Sequence, residues 1–544
     1  MTIFGISSRN CGAVFANKLA QHLAKEIGRN RKIYPVKQMV FRLSLPFWGL
    51  LLLLINGCSS MAELPAKSIE TAYPLAENST LYQAVKTAMA QHPEQTGVFP
   101  LGDGVDAFVA RLLLIESAVS SIDLQYYIYR NDETGRLLTW FLLDAADRGV
   151  RVRLLLDDMT SADMDEQLIA LARHPNISIR LFNPSTERNY RGLAMLFGFS
   201  RLNHRMHNKS FTVDNVMTIV GGRNIGDEYF AANRDLEFGD FDLLAMGDAV
   251  LKVSDEFDLY WNADSTHPIE VLSDHNPTQA ELEALAQQMS EQREQSKSSE
   301  YVKRLAQSQL LANLQSDSMT WFWGKALVLV DPPDKLLQGD KSTWLLSQLL
   351  PYLTQVESEL LIISPYFVPT QSGTDLLTLL AQSGKRVRVL TNSLAATDVL
   401  AVHAGYKQYR KALLAAGVEI YEVKAQAGER SHSWHGSSKS SLHAKSFVFD
   451  NNQIFVGSFN FDPRSAAVNT ELGLLITQPQ FSQQVAHKIE EKLASNTYRL
   501  ALEEGELVWW DDANKQRYDS EPDAGFWRIF VADFLGLLPI ESQL

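Results

Sequence analysis

The feature that most constrains this chain is an internal repeat. The segment Met206–Asp214 (MHNKSFTVD) matches Leu442–Asp450 (LHAKSFVFD), which lies 236 residues further along the chain. The match continues at the same spacing from Ile219–Asn224 (IVGGRN) to Phe455–Asn460 (FVGSFN). With 544 residues, the chain is also longer than one hydrophobic core usually organises. We therefore expect a duplicated fold with two similar halves.

Each half alternates helical and strand patterns. In the first half, helical spacing over Asp106–Ser120 precedes a strand pattern at Ile122–Tyr129. A second apolar strand, Val150–Leu156, follows Gly149, and glycine suits the end of a helix. The second half repeats this order at Leu345–Glu357, Leu360–Phe367 and, after Gly384, Val387–Thr391. The pattern predicts an α/β sandwich in each half.

The composition along the chain predicts its domain organisation. We expect an uncertain leader (1–38), a lipoprotein-type signal peptide (39–57), a linker (58–95), a first domain (96–270), a polar helical linker (271–318), a second domain (319–500) and an aromatic, amphipathic extension (501–544). Within the central linker, Pro277–Asn313 is predicted to be exposed, with local helix at most. The Ser-rich Glu429–Ser441 segment is predicted to be a mobile loop.

The repeated motif carries a His-Lys pair in each half. Residues two apart on a strand point to the same face, so His207 pairs with Lys209 and His443 pairs with Lys445. A single such pair is more often structural than catalytic. Two copies in the same local frame favour catalysis, because pseudo-twofold packing of the halves would bring both pairs to one cleft.

Two histidines and two lysines suit phosphodiester chemistry. One imidazole can attack phosphorus and hold the phosphoryl group covalently, while the other protonates the leaving alcohol. The lysines offset charge on the non-bridging oxygens, and Asn224 and Asn460 are candidate hydrogen-bond donors. This chemistry needs no metal or other cofactor.

The two cysteines, Cys11 and Cys58, exclude a disulfide scaffold and a zinc site of the CxxC type.

The two motifs, HxKxxxxD followed by GGxN or GSxN, resemble the phospholipase D superfamily. Further segments look like bacterial cardiolipin synthases, most of all the C-type branch: Arg148–Asp157, Thr391–Asp398, His403–Tyr406 and Gly457–Ser465. The resemblance implies two phospholipase D-like α/β domains, related by pseudo-twofold symmetry, with the active site at their interface. It also implies transfer of a phosphatidyl group between phospholipids through a phosphohistidine.

The resemblance assigns roles that the residues alone leave open. It implies that His207 is the nucleophile and that His443 acts as acid and then as base. It also implies that Glu471 and Asp240 lie beside the histidines, where a carboxylate fixes the tautomer. Asp242 is an alternative to Asp240.

The aspartates that end the two motifs have two interpretations. Asp214 and Asp450 are candidate catalytic residues, but both follow a strand at a predicted turn. We therefore favour a structural role for them, in turn formation and a salt bridge.

The expected partners are phospholipids and a membrane. Phosphatidylglycerol is the first candidate substrate and phosphatidylethanolamine the second, and an activating protein is left open. The chain carries 50 Lys and Arg against 64 Asp and Glu, a net charge of −14, which argues against nucleic acid. Three rivals remain: hydrolysis by a phospholipase D, a phospholipase D-like nuclease, and a non-enzymatic scaffold, which two intact motifs disfavour.

The amino-terminal region predicts attachment to a membrane of a bacterial cell envelope. Leu43–Ile55 is an apolar run of 13 residues, short for a membrane span and right for a signal-peptide core. It runs into Ile55–Cys58 (INGC), which resembles a bacterial lipobox with Cys58 as the lipidated residue. Residues 1–38 are then an extended leader or follow from a misplaced start, since Met39 could begin a compact signal. An uncleaved anchor is the alternative, and inner or outer membrane is left open.

The carboxyl-terminal region offers a second candidate for lipid contact. Phe526–Leu538 is apolar and aromatic, and it is too short to span a bilayer. An interfacial helix and a helix that closes the second core are equally compatible with this pattern. Trp509, Trp510 and the Tyr190–Phe199 segment are lesser candidates.

Overall fold

The computed structural model describes residues 67–185, 188, 198–231, 239–272, 277–316, 318–337, 339–425 and 442–544. The predicted leader, the signal peptide and Cys58 lie outside these residues, as do the Glu429–Ser441 loop and most of Tyr190–Phe199. The described residues belong to one compact unit.

The first half of the described chain is built on one mixed sheet. Its strands are β1 (Thr96–Leu101), β2 (Ser121–Tyr126), β3 (Arg151–Asp157), β4 (Ile177–Phe182), β5 (Ser210–Val213), β6 (Met217–Gly221), β7 (Asp242–Gly247) and β8 (Thr266–Pro268). They pair in the order β8–β4–β3–β2–β5–β6–β7–β1, and only the β4–β3–β2 pairings are parallel.

The second half builds a sheet with the same strand order. Its strands are β9 (Phe322–Val330), β10 (Glu359–Ile363), β11 (Arg386–Asn392), β12 (Glu419–Val423), β13 (Ser446–Phe449), β14 (Gln453–Gly457), β15 (Leu472–Thr477), β16 (Thr497–Glu503), β17 (Glu506–Asp511) and β18 (Gln516–Tyr518). The order is β16–β12–β11–β10–β13–β14–β15–β9, and β17 and β18 extend the β16 edge. The start of β9 also pairs with β1, so this strand joins the two sheets.

Helices cover the sheets and connect their strands. The α-helices of the described residues are α1 (Thr80–Gln91), α2 (Gly104–Ser117), α3 (Glu133–Asp147), α4 (Asp165–Leu171), α5 (Phe199–Leu202), α6 (Asp248–Asn262), α7 (Gln279–Ser296), α8 (Glu300–Leu305), α9 (Gln309–Gln315), α10 (Leu345–Thr354), α11 (Thr370–Gln382), α12 (Leu400–Lys407), α13 (Arg410–Ala415), α14 (Pro463–Ala467), α15 (Pro479–Asn496) and α16 (Phe526–Gly536). The predicted fold class, two α/β domains, is confirmed.

Local sequence signals explain several element boundaries. Gly149 and Gly384 follow α3 and α11 with φ of 94° and 86°, a left-handed conformation that glycine adopts without strain. The predicted hairpin turn between β5 and β6 is also present. Asp214 and Asn215 have φ of 54° and 53°, as a two-residue type I′ turn requires at both central positions.

The inner faces of the two sheets pack against each other. Val220, Leu243 and Ala245 of the first sheet and Val456 and Leu474 of the second belong to one buried apolar cluster. Because burial of apolar area is the main favourable term in association, this cluster holds the halves together. The repeated motifs lie at the same contact, since Met206, Leu442 and Ala444 belong to this cluster.

The central linker differs in part from its prediction. Helix α7 has no buried residue, as expected for an exposed segment. Helices α8 and α9, however, bury Tyr301, Leu305 and Leu310 in the apolar core of the first half. Tyr301 and Leu305 lie one turn apart on α8, and Leu310 lies near the start of α9, so each short helix gains apolar burial and packs instead of staying exposed.

The lengths and polarity of the helices show whether any of them could span a membrane. Within the described part of the chain, every helix is too short or too polar to cross a bilayer.

Candidate active site

The two repeated motifs meet at the contact between the halves. The segment that leads into β5 pairs with the segment that leads into β15: the His207 N–H donates to the Thr470 carbonyl at 2.9 Å. In return, the Thr470 N–H donates to the Arg205 carbonyl at 3.0 Å. The backbone beside His207 is thus held by the other half of the molecule.

Each histidine is hydrogen-bonded to a carboxylate from the opposite half. His207 Nδ1 lies 2.8 Å from Glu471 Oε2, and His443 Nδ1 is hydrogen-bonded to Asp240 Oδ2. A carboxylate on Nδ1 favours the Nδ1–H tautomer and leaves the Nε2 lone pair available. The exchange of partners means that neither half contains a complete site.

Further contacts position the two carboxylates. Glu471 Oε1 accepts from the Ser465 hydroxyl at 2.7 Å, and the Glu471 N–H donates to Asp331 Oδ2 at 3.0 Å. Asp240 lies against Gly222, where an added Cβ would come within 2.1 Å of Asp240 Oδ1. The second glycine of the GGxN motif is therefore required for the approach of Asp240 to this strand end.

The two lysines are buried beside their histidines. Lys209 Nζ donates to the His207 carbonyl at 2.5 Å, and Lys445 Nζ donates to the His443 carbonyl. Burial lowers the pKa of Lys209 to about 7, and it lowers the pKa of Lys445 as well. The attraction between an ammonium group and an anion is stronger in a buried, low-dielectric site than in water. Both lysines are therefore suited to bind a phosphate group.

Burial also governs the protonation of the histidines. It lowers the pKa of His207 to about 4, against the opposing effect of Glu471, so this imidazole is neutral near pH 7. Burial lowers the pKa of His443 too, although Asp240 acts to raise it. Burial acts to raise the pKa values of Asp240 and Glu471, but the histidine partners and the neighbouring lysines together outweigh it, and both values are lowered.

The two motif asparagines lie at the ends of β6 and β14. Asn224 Oδ1 accepts from the Ile128 N–H at 3.2 Å, which fixes the amide. The Asn460 N–H donates to the Ser465 hydroxyl at 3.2 Å. Asn460 Oδ1 is buried and has no hydrogen-bond partner among the described residues.

The aspartates that end the motifs lie at the far ends of β5 and β13. The Asp214 carboxylate accepts from the N–H groups of Val119, Ser120 and Ser121. The Asp450 carboxylate accepts in the same way from Glu357, Ser358 and Glu359. These partners are backbone N–H groups that tie the hairpin to the next strand, instead of the cation of the expected salt bridge.

Asp242, the alternative to Asp240, faces another partner. Its carboxylate pairs with Arg111 at 2.9 Å and lies 3.4 Å from Arg223. Both members of the Arg111 pair are buried, so this pair belongs to the interior of the first half.

Three tyrosines at the site were missed by the sequence reasoning. The Tyr127 ring lies edge-on to His207 at 5.1 Å between centroids, and the Tyr229 ring lies edge-on to His443 at 5.3 Å. The Tyr366 hydroxyl donates to Asp398 at 2.8 Å. Tyr127 and Tyr366 occupy matching positions of the repeat, a signal that could have identified them; Tyr229 has no such signal.

The geometry defines a class of enzyme. Two imidazoles whose Nε2 atoms have no hydrogen bond among the described residues, two lysines and two asparagines at one interface between the halves form a site for covalent phosphodiester chemistry.

Comparisons with known proteins agree with this class. The family described as "Cardiolipin synthase, PLD-like domain" matches residues 112–261 and 349–493, so the chain belongs to this family. The chain is similar to cardiolipin synthase C of Escherichia coli K12, with 41% identity over 85% of this chain and 99% of that protein. It is also similar to the major cardiolipin synthase ClsA of Bacillus subtilis, with 25% identity over 76% of this chain and 72% of that protein.

A solved structure shares the fold. The phosphatidylserine synthase of Haemophilus influenzae aligns with a TM-score of 0.50 and 16% identity, over 77% of this chain and 91% of that chain.

Protonation of His207 is expected to cost stability in acid. Its pKa of about 4 lies below the ordinary 6.5, so between these values the folded state binds fewer protons than the unfolded state. The free energy of unfolding should therefore fall as the pH drops through this window. The contribution of this group by pH 5 is on the order of 1–2 kcal/mol. Urea midpoints measured from pH 7 to pH 5 provide the test.

Two variants complete this experiment. His207→Asn should flatten the pH dependence, whereas His487→Asn should not, since that side chain is 73% exposed. Equal slopes in the wild type and His207→Asn would contradict the assignment.

Proposed function

We propose that this protein is a cardiolipin synthase-like phosphatidyltransferase that moves a phosphatidyl group between phospholipids through a phosphohistidine. The observation that carries the proposal is the exchanged pairing: His207 with Glu471 and His443 with Asp240. The pairing leaves two Nε2 atoms for chemistry, which is what a covalent intermediate and a separate proton donor need.

In the first step, the Nε2 lone pair of neutral His207 attacks the phosphorus of the donor lipid. The bond from phosphorus to the headgroup oxygen breaks, and protonated His443 gives its Nε2 proton to that oxygen. Asp240, an anion beside His443, stabilises the imidazolium before transfer. The products are a phosphatidyl-histidine and the free headgroup alcohol.

In the second step, His443 acts as a base. It takes the proton of the acceptor lipid's headgroup alcohol, whose oxygen then attacks phosphorus and releases His207. Phosphatidylglycerol as acceptor gives cardiolipin. Lys209 and Lys445 would neutralise the non-bridging phosphate oxygens in both steps, and Asn224 and Asn460 would orient them.

The motif aspartates have a different role in this proposal. Asp214 and Asp450 bind backbone N–H groups at the turns, so we assign them the positioning of β5 and β13 and no proton transfer.

The rival reactions use the same site. Water as acceptor would give phosphatidic acid, and a nucleic acid phosphodiester would make the protein a nuclease. The net charge of −14 favours lipid over nucleic acid.

Defined lipids distinguish these reactions. Purified protein in vesicles of phosphatidylglycerol, with and without phosphatidylethanolamine, should produce cardiolipin, followed by mass spectrometry. Release of glycerol or of ethanolamine identifies the donor. Phosphatidic acid without cardiolipin would favour hydrolysis, and turnover of DNA alone would favour the nuclease.

The two histidines should behave differently with an activated donor. With a phosphatidyl donor that carries a nitrophenol leaving group, His443→Ala should accumulate a labelled phosphohistidine, because that group leaves without a proton. His207→Ala should form none, and both variants should lose transfer to natural lipids by about 10³-fold or more. His487→Ala is the matched control. Accumulation in His207→Ala would reverse the assigned roles.

We also propose that the protein is held at a bacterial envelope membrane by lipid on Cys58, after removal of the signal peptide 39–57. The support is the INGC sequence after an apolar run of signal-peptide length. Mass spectrometry of the mature amino terminus should find acylated Cys58 as the first residue. A peptide that spans Gly57 and Cys58 would contradict this.

A further inference from the structure

Helix α16 packs with its small residues inward. Ala532 is fully buried, and a Cβ added at Gly536 would lie 3.7 Å from the Ala404 carbonyl of α12. The large side chains point away from the protein: Phe526 (72% exposed), Trp527 (73%), Phe530 (53%), Phe534 (54%) and Leu537 (82%). We call these five residues the aromatic face. A helix that closes a core would place them inward, so the arrangement favours the interfacial interpretation.

The two charged groups of α16 both have partners in the protein. Arg528 Nε donates to the Leu394 carbonyl at 2.6 Å, and the same guanidinium contacts the Thr397 carbonyl. Asp533 forms an ion pair with Lys407 of α12. The Asp533 side chain is 55% exposed, but its charge is paired, and the helix contains no other charged residue. The five residues of the aromatic face are therefore all uncharged, which favours their entry into an apolar phase.

The uncharged character of these five residues also indicates the kind of partner. Protein interfaces usually surround an apolar centre with polar residues that pair across the contact. A bilayer makes no such demand, and Trp and Phe on one side of a short helix are typical of segments that lie in the lipid interface. The aromatic face therefore fits a lipid surface better than a second protein.

The contacts of α16 lead to the catalytic groups. The Leu394–Asp398 loop that Arg528 contacts ends in Asp398, the acceptor of the Tyr366 hydroxyl. Just before this loop, the Asn392 side chain exchanges two hydrogen bonds with the backbone of Leu442, next to His443. The aromatic face is thus attached to the rim of the candidate site.

The end of the chain contacts the other side of the interface. The Arg464 N–H donates to the Leu544 carbonyl at 2.7 Å, and Asn203 Nδ2 donates to Gln543 at 2.7 Å. Asn203 lies in the segment that leads to His207, so the carboxyl-terminal segment contacts both halves beside the site.

We propose that the aromatic face of α16 inserts into the surface of a phospholipid bilayer and that Arg528 thereby holds the rim of the active site at that surface. The choice of a bilayer rests on the proposed function, because the substrates would then reside in the same membrane. The insertion does not depend on Cys58, so the two attachments are separate.

Trp527 provides a local probe of this contact. Full-length protein is added to vesicles of phosphatidylglycerol and phosphatidylethanolamine at 1:3, with lipids brominated in their acyl chains as fluorescence quenchers. Wild-type emission should be quenched, and the quenched fraction should fall by at least half in Trp527→Phe, which removes the reporter but keeps the face apolar. Trp510→Phe, a change at a half-buried residue of β17, should leave it unchanged. Equal quenching in wild type and Trp527→Phe overturns the proposal.

Activity gives the second readout. The double variant Phe526→Ser/Phe530→Ser should lose at least tenfold in activity on vesicles and keep its activity on short-chain phospholipids dispersed as monomers. Leu379→Ser, at another exposed apolar residue, is the matched control. Equal loss on both substrates, or a change in oligomeric state by sedimentation without any lipid effect, overturns the proposal.

Failure of the proposed function is recognised separately. The quenching experiment needs no turnover, whereas a wild type that makes no transfer product from any lipid would refute the function and not the contact.

Discussion

The structure depends most on the exchange of carboxylates between its two halves. His207 is held by Glu471 and His443 by Asp240, and each bond crosses the interface. All four side chains are largely buried, where an unpaired carboxylate or imidazolium would be costly. A shift of one half against the other would leave two buried acids without their histidine partners. The same bonds that orient the imidazoles therefore require the two sheets to stay in one relative position.

That requirement explains the polarity of the interface. Its centre is aliphatic, with Val220 and Leu243 against Val456 and Leu474. The histidines, lysines and carboxylates lie beside this apolar cluster and are largely buried with it. Apolar burial is not directional, so it provides adhesion without fixing the register of the two sheets. The register is fixed by directional contacts. These are the backbone hydrogen bond between His207 and Thr470 and the two histidine–carboxylate pairs. Adhesion and alignment are thus provided by different residues.

The sequence predicted the fold class and the residues that meet at the cleft, because the repeat marks both at the same spacing. The type I′ turn at Asp214 and the helix ends at Gly149 and Gly384 were also predictable, since they depend on local conformation. Contacts beyond the motifs and their acids were not predictable. No pattern in the chain indicates that Tyr229 lies against His443, or that α8 and α9 pack into the first core.

Trp509 was a candidate for lipid contact, yet it is buried and its indole N–H donates to Glu422, because β17 extends the second sheet.

Two nearly identical motifs are made unequal by their surroundings. Glu471, the partner of His207, accepts a hydrogen bond from the Ser465 hydroxyl, whereas Asp240, the partner of His443, lies against Gly222. The side chain of His207 is 9% exposed and that of His443 is 20% exposed. A deeper imidazole is harder to protonate, which suits a nucleophile, and a more open one exchanges protons more readily with alcohols that enter and leave. The chain's symmetry thus provides two histidines, and its departures from symmetry provide the reason for two different roles.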